Sequence, residues 1–223
     1  MKKVKIICKT LTLIGLGSFF GCGSNTSQAQ TDDNIKKVSF DEQIKVFKDL
    51  KFEFNEGASE TDIINMWGKE ELENEPYSLL YISLGAQVER KPWTPITNQC
   101  WHFDIEAIED KGAYVDIIEN LKRLSDGELN FTNITDVVDW ENQKASVSFE
   151  LNGDKYSWDL EFDNDWVDPN LFSNIVKLTE KYETEGRFTY YDTGGQDLVI
   201  GWTTPEKLDE IKSKTGLEIV WLN

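Results

Sequence analysis

His102 is the only histidine in the chain, and it stands two residues beyond Cys100 in the run Cys100-Trp101-His102-Phe103-Asp104-Ile105-Glu106. A cysteine beside a histidine can act as a nucleophile when the imidazole takes the thiol proton. Here Trp101, Phe103, Ile105 and Ala107 alternate with His102, Asp104 and Glu106, which makes the run a strand with one polar face. Cys100 and His102 then share a face, but residues two apart on a strand stand about 7 Å from each other, too far for direct activation. The expectation is a small buried thiol and a separate imidazole. His102, Asp104 and Glu106 could instead hold a metal or exchange protons. Zinc needs ligands that converge, whereas a strand ladder spreads them by a full repeat at each step. A solvated sheet face is expected, and no metal is assigned.

Two other acidic clusters invite chemistry. Asp163, Asn164, Asp165 and Asp168 offer the clustered oxygens that calcium prefers, but the glutamate that closes an EF-hand loop would fall at Asn174. A turn followed by a helix cap at Asp168 accounts for all four. The loop Asp192 to Asp197 carries four polar residues and two glycines between apolar runs. Its glycines would let a ligand approach the backbone, and Asp192, Gln196 and Asp197 could supply oxygens. Among eight tryptophans, Trp101, Trp158, Trp202 and Trp221 fall on strands and read as core. Trp93, Trp140 and Trp166 fall in loops or at strand ends, where an indole often anchors a ligand. Asp192, Gln196, Asp197, Trp140 and Trp166 are therefore the expected ligand-binding residues, and no catalytic residue or cofactor is expected.

The elements that would position these groups are legible from their spacing. Ala145, Val147, Phe149 and Leu151 alternate, as do Tyr156, Trp158, Leu160 and Phe162, on either side of Asn152-Gly153. That is a type I′ hairpin, with Phe149 facing Tyr156, Val147 facing Trp158, Ala145 facing Leu160 and Glu150 opposite Lys155. Phe188 to Tyr191 and Leu198 to Trp202 form a second hairpin across Gly194-Gly195. Helices are predicted after Ser39, after Ser59, from Pro76, after Asp110 as the cap, at Asp168-Pro169 and at Thr204-Pro205. A final strand is expected at Leu217 to Leu222. Hairpins interspersed with helices give an α+β class, a single domain with a mainly antiparallel sheet and helices packed on one face.

The N-terminus reads as a leader. Lys2, Lys3, Lys5 and Lys9 precede an apolar run from Leu11 to Phe20, too short to span a bilayer, which ends in Ser18-Phe19-Phe20-Gly21-Cys22. This resembles the lipobox of bacterial lipoproteins, with Phe19 where that family usually has leucine. The resemblance implies a signal peptide over 1–21, a lipid such as palmitate on Cys22, and a place in the bacterial cell envelope, anchored and extracytoplasmic. An ordinary secretory signal with an incidental cysteine is the competing reading. Residues 22–37 are polar and aperiodic and read as a flexible tether, leaving 38–223 as the domain.

Composition bounds the partners. Without the four leader lysines, 19 of the 23 basic residues face all 41 acidic ones, a net charge of −22. Nucleic acid is excluded because its phosphates would be repelled, while a basic protein would be attracted and steered. Asp192-Thr193-Gly194 copies the D-T-G of aspartic proteases, but only residues 193–223 follow and there is no second D-T-G. No phosphate loop, G-x-S-x-G or H-E-x-x-H occurs. The order W-H-F-D and I-E-D over 101–110, D-W-V-D-P over 165–169 and D-T-G-G-Q-D over 192–197 is similar to a domain of uncharacterised bacterial proteins, which brings no activity with it. The expected function is that of a non-enzymatic binding or accessory, immunity-like lipoprotein. A carbohydrate-binding lipoprotein using exposed tryptophans is the alternative, and a hydrolase has the least support.

Overall fold

In the computed structural model, residues 37–223 are described. The leader, Cys22 and all but the last residue of the tether lie outside them. The described residues form seven helices and seven strands, with the strands in two antiparallel sheets. The α+β expectation holds.

The first four helices form one layer. Ser39 Oγ accepts the Glu42 N–H and starts α1 (Phe40–Asp49). Phe40, Ile44, Phe47 and the following Leu50 are all buried, as their helical spacing requires. The Asp62 carboxylate accepts both the backbone N–H and the hydroxyl of Ser59 at 2.8 Å, fixing the start of α2 (Glu60–Trp67). Then come α3 (Lys69–Asn74) and α4 (Ser78–Gly85), the latter buried along nearly its whole length. Gln43, itself fully buried, ties the layer together by donating to Val38 O and Leu72 O and accepting the Tyr77 N–H.

The larger sheet has the order β1-β6-β5-β7, built from β1 (Cys100–Asp104), β5 (Arg187–Asp192), β6 (Asp197–Thr203) and β7 (Val220–Trp221). Successive residues on its strands belong to different cores. Cys100 and Val199 join the core of α1, α2, α3, α4 and α7 (Pro205–Thr215), whereas Phe103, Phe188 and Ile200 join a second one. That second core lies with α5 (Ala113–Leu124), α6 (Asn170–Lys181) and the inner face of a three-stranded sheet. The small sheet has the order β2-β3-β4, from β2 (Phe131–Asp139), β3 (Lys144–Leu151) and β4 (Asp154–Leu160). Its β3–β4 register matches the expected one at every stated pair, and Lys155 Nζ meets Glu150 Oε1 at 3.3 Å. Asn152 and Gly153 both take positive φ (52° and 87°), the backbone a type I′ turn demands.

Three details differ from the spacing argument. The strand from Cys100 stops at Asp104 rather than running on through Ala107, because after the Ile105 N–H bond to Gln196 O the chain turns to pair with residues 165–167. The last strand is reduced to Val220–Trp221. Asp110 does not cap α5. The cap is Asp136 on β2, buried, whose two oxygens take the Gly112 N–H (2.9 and 3.0 Å) and one of which takes the Tyr114 N–H (3.1 Å). A carboxylate brought in from 22 residues away serves the positive end of the helix, which no local pattern reveals.

Candidate functional site

The loop Asp192 to Asp197 and the polar face of β1 meet. Asp197 stands opposite Asp104 in the ladder, and His102 stands opposite Val199, two residues along. This diagonal brings His102 Nε2 to 2.6 Å from Asp197 Oδ2. Burial pushes the Asp197 carboxyl upward, but hydrogen bonds to His102 and Thr193 and the charge of His102 outweigh it and hold the group below the usual carboxylate range. Gln196 Nε2 donates to Glu106 Oε2 at 2.7 Å, and Thr193 Oγ1 donates to Asp197 O at 2.7 Å. Asp192 Oδ1 takes the Gly194 N–H in a tight turn (2.8 Å). A side chain on Gly195 would run into Asp197 Oδ1, so glycine there keeps the carboxylate free to reach His102. Of the residues expected to bind a ligand, Asp192, Gln196 and Asp197 thus meet the polar face of β1, with their side chains engaged by Gly194 N–H, Glu106 and His102.

The remaining expected groups are separate. Trp140 is 45% exposed, donates its indole N–H to Glu109 O at 2.9 Å and packs edge-on against Phe162. Trp166 is 37% exposed and closes a small turn by bridging Asp163. Asp168 is buried and accepts N–H groups from Glu161 and Asn170, the cap its sequence position implied. Cys100 is fully buried, and burial drives its thiol up to about 12. Its sulfur neighbours Thr97 and Tyr81 O, not His102. Among the described residues no group of three or more His, Cys, Asp or Glu side chains is placed to hold a metal. No helix among them is long and apolar enough to cross a membrane.

One concavity was not anticipated. A groove of about 880 Å³ runs between the end of α2, the end of α4 with its following loop, β1 and α5. Trp67, Trp93 and Trp101 line it, with His102 and Arg123. Trp67 and Trp93 are 44% and 55% exposed. Trp67 is held at the groove by its indole N–H, which donates to Ser83 Oγ at 3.0 Å. Ser83 in turn donates to Leu79 O, so its hydroxyl is fully engaged. Trp101 is half-buried rather than core, its ring 4.4 Å from that of Phe103. Gly85 lets α4 lie directly on β1, since a side chain there would meet the His102 backbone at 2.5 Å. Arg123 directs its guanidinium to Thr97 O, Asn98 Oδ1 and Asn120 Oδ1, and burial lowers its pKa. Glu89, Asp116 and Glu119 stand exposed along the same walls.

A smaller cavity of about 340 Å³ lies under α7, floored by Tyr81, Thr189 and Gly201. Beside it the Glu128 carboxylate gathers the N–H groups of Glu185 and Gly186 and the Trp202 indole, a structural clamp. Comparison with models of protein families, with curated proteins and with solved structures finds no match for this chain.

Proposed function

We propose that the chain is a lipid-anchored, extracytoplasmic binding protein of the accessory or immunity-like kind, whose acidic surface meets a basic partner protein. The observation that carries this reading is the excess of unpaired carboxylate. Among the described residues, ion pairs engage eight carboxylates, against 39 acidic residues there (the chain's 41 less Asp32 and Asp33). Such a surface speeds encounter with a basic protein and repels acidic ones. The membrane attachment rests on the lipobox resemblance at Cys22. Mass spectrometry of the membrane fraction is expected to find acylated Cys22, and an unlipidated N-terminus elsewhere would remove that part.

A second reading is favoured by the tryptophan groove, since aromatic faces stack against sugar rings. The two separate on salt. Charge-steered association weakens steeply as ionic strength rises, whereas stacking hardly responds. Pull-downs from cell envelopes at low and high salt are expected to recover a basic protein at low salt only. Recovery of a polysaccharide alone, indifferent to salt, would replace the protein-binding reading with the glycan one.

A further inference from the structure

We propose that the groove between α2, α4 and α5 receives lysine side chains from an extended basic segment of a partner protein, their ammonium groups held between tryptophan faces and carboxylates. The inference rests on the basic-partner reading and says where and how that partner is held. An indole face carries negative electrostatic potential and attracts an alkylammonium group, most strongly where water is partly excluded. Trp67 and Trp93, both well exposed, line the groove together with the half-buried Trp101. The Trp67 ring is already oriented by its bond to Ser83, so little ordering is left for binding to impose.

Charge on the walls selects a cation over a neutral ring. Glu89 and Asp116 have no ion-pair partner among the described residues, and Glu119 has only Lys122 at 3.8 Å. Arg123 is the opposing charge on the lining, so the three carboxylates leave a net excess of two. Its guanidinium is turned to the Thr97, Asn98 and Asn120 oxygens, so it braces α5 against the 97–98 turn. His102 is held by Asp197. The groove, about 880 Å³ and open along one side, is larger than one ammonium group fills. Several side chains of one segment fit that space better than a lone small amine.

The test is calorimetric titration of the full-length chain in mild detergent at low salt. The probes are hexalysine, its fully acetylated form, spermine and cellohexaose. The groove variants are Trp93→Ala and the triple Glu89→Gln, Asp116→Asn, Glu119→Gln. A triple of equal charge change far from the groove, Glu183→Gln, Glu206→Gln, Asp209→Asn, is the control. Hexalysine is expected to bind and its acetylated form to fail, with each groove variant weakening binding by about tenfold or more and the control by under about threefold. Circular dichroism establishes that the variants are folded, and the charge variant tests the site independently of the loop tryptophan. Binding of hexalysine that ignores the groove variants but responds to the control would overturn the groove assignment and leave the basic-partner reading intact. Absence of hexalysine binding would overturn both. Spermine binding as tightly as hexalysine, or cellohexaose or the acetylated peptide doing so, would overturn the choice of a lysine segment.

Discussion

Replacing Asp136 tests whether a long-range carboxylate rather than the local Asp110 secures α5. Asp136 is buried on β2 and accepts from the Gly112 and Tyr114 N–H groups, one of them buried. Asp136→Ala strands both donors at the positive end of a 12-residue helix. Lost capping costs about 0.5–2 kcal/mol, and a buried unsatisfied donor about 1–3 kcal/mol. Removing a buried charge returns part of this, because the carboxylate no longer has to be desolvated. The net expectation is a loss of about 3 kcal/mol. Asp136→Asn keeps one acceptor oxygen without the charge and should lose about half as much. Urea unfolding at neutral pH measures both; with a slope of about 2 kcal/mol per molar, the alanine variant's midpoint falls by about 1.5 M. Asp110→Ala is the comparison and should change stability by under about 0.5 kcal/mol. A loss below about 1 kcal/mol for Asp136→Ala, or an equal loss for Asp110→Ala, would refute the assignment.

Two further outcomes are expected. Asp197 has its carboxyl held below the usual range in the folded state, so its contribution is present above the unfolded carboxylate pKa and disappears as pH falls through the folded one. Asp197→Asn should therefore narrow the gap in stability between neutral and acidic solution, as read by thermal unfolding from pH 7 to pH 3; an unchanged gap would discount the pair with His102. Cys100, fully buried with its thiol pushed up to about 12, should resist iodoacetamide in the native protein and react once guanidinium unfolds it. Peptide mapping reads this directly, and rapid native alkylation of Cys100 would contradict the packing around Tyr81 and Thr97.

The parts of the fold fixed by local rules were legible from the chain alone. Asn152-Gly153 dictates positive φ at two positions, and that turn forces the pairing of Phe149 with Tyr156 and Val147 with Trp158. Ser39 and Thr204 marked helix starts for equally local reasons. Asp136 was invisible as a cap because nothing near Gly112 in sequence names it. The same holds for the groove. Trp93 and Trp101 sit on a loop and a strand, and Trp67 sits at the end of a helix. Only the Ser83 hydroxyl, brought close by α4, explains why its ring stays at the surface. The Asp192 to Asp197 loop and the His102 strand were each singled out, yet their contact through Asp197 and Gln196 depends on β1 pairing with β6, a long-range choice.

The alternation of Cys100 and Val199 with Phe103 and Ile200 has a bearing on how this protein moves. Because β1 and β6 feed one residue into each core in turn, neither core can loosen without disturbing the backbone that serves the other. Peeling the helical layer away would uncover Val199 and Cys100 and at the same time slacken the strand that aligns Ile200 and Phe103. Loosening of one core is thus expected to be coupled to loosening of the other. β6, flanked by β1 and β5, is where hydrogen exchange should be slowest, its amides reaching water only when the whole domain comes apart.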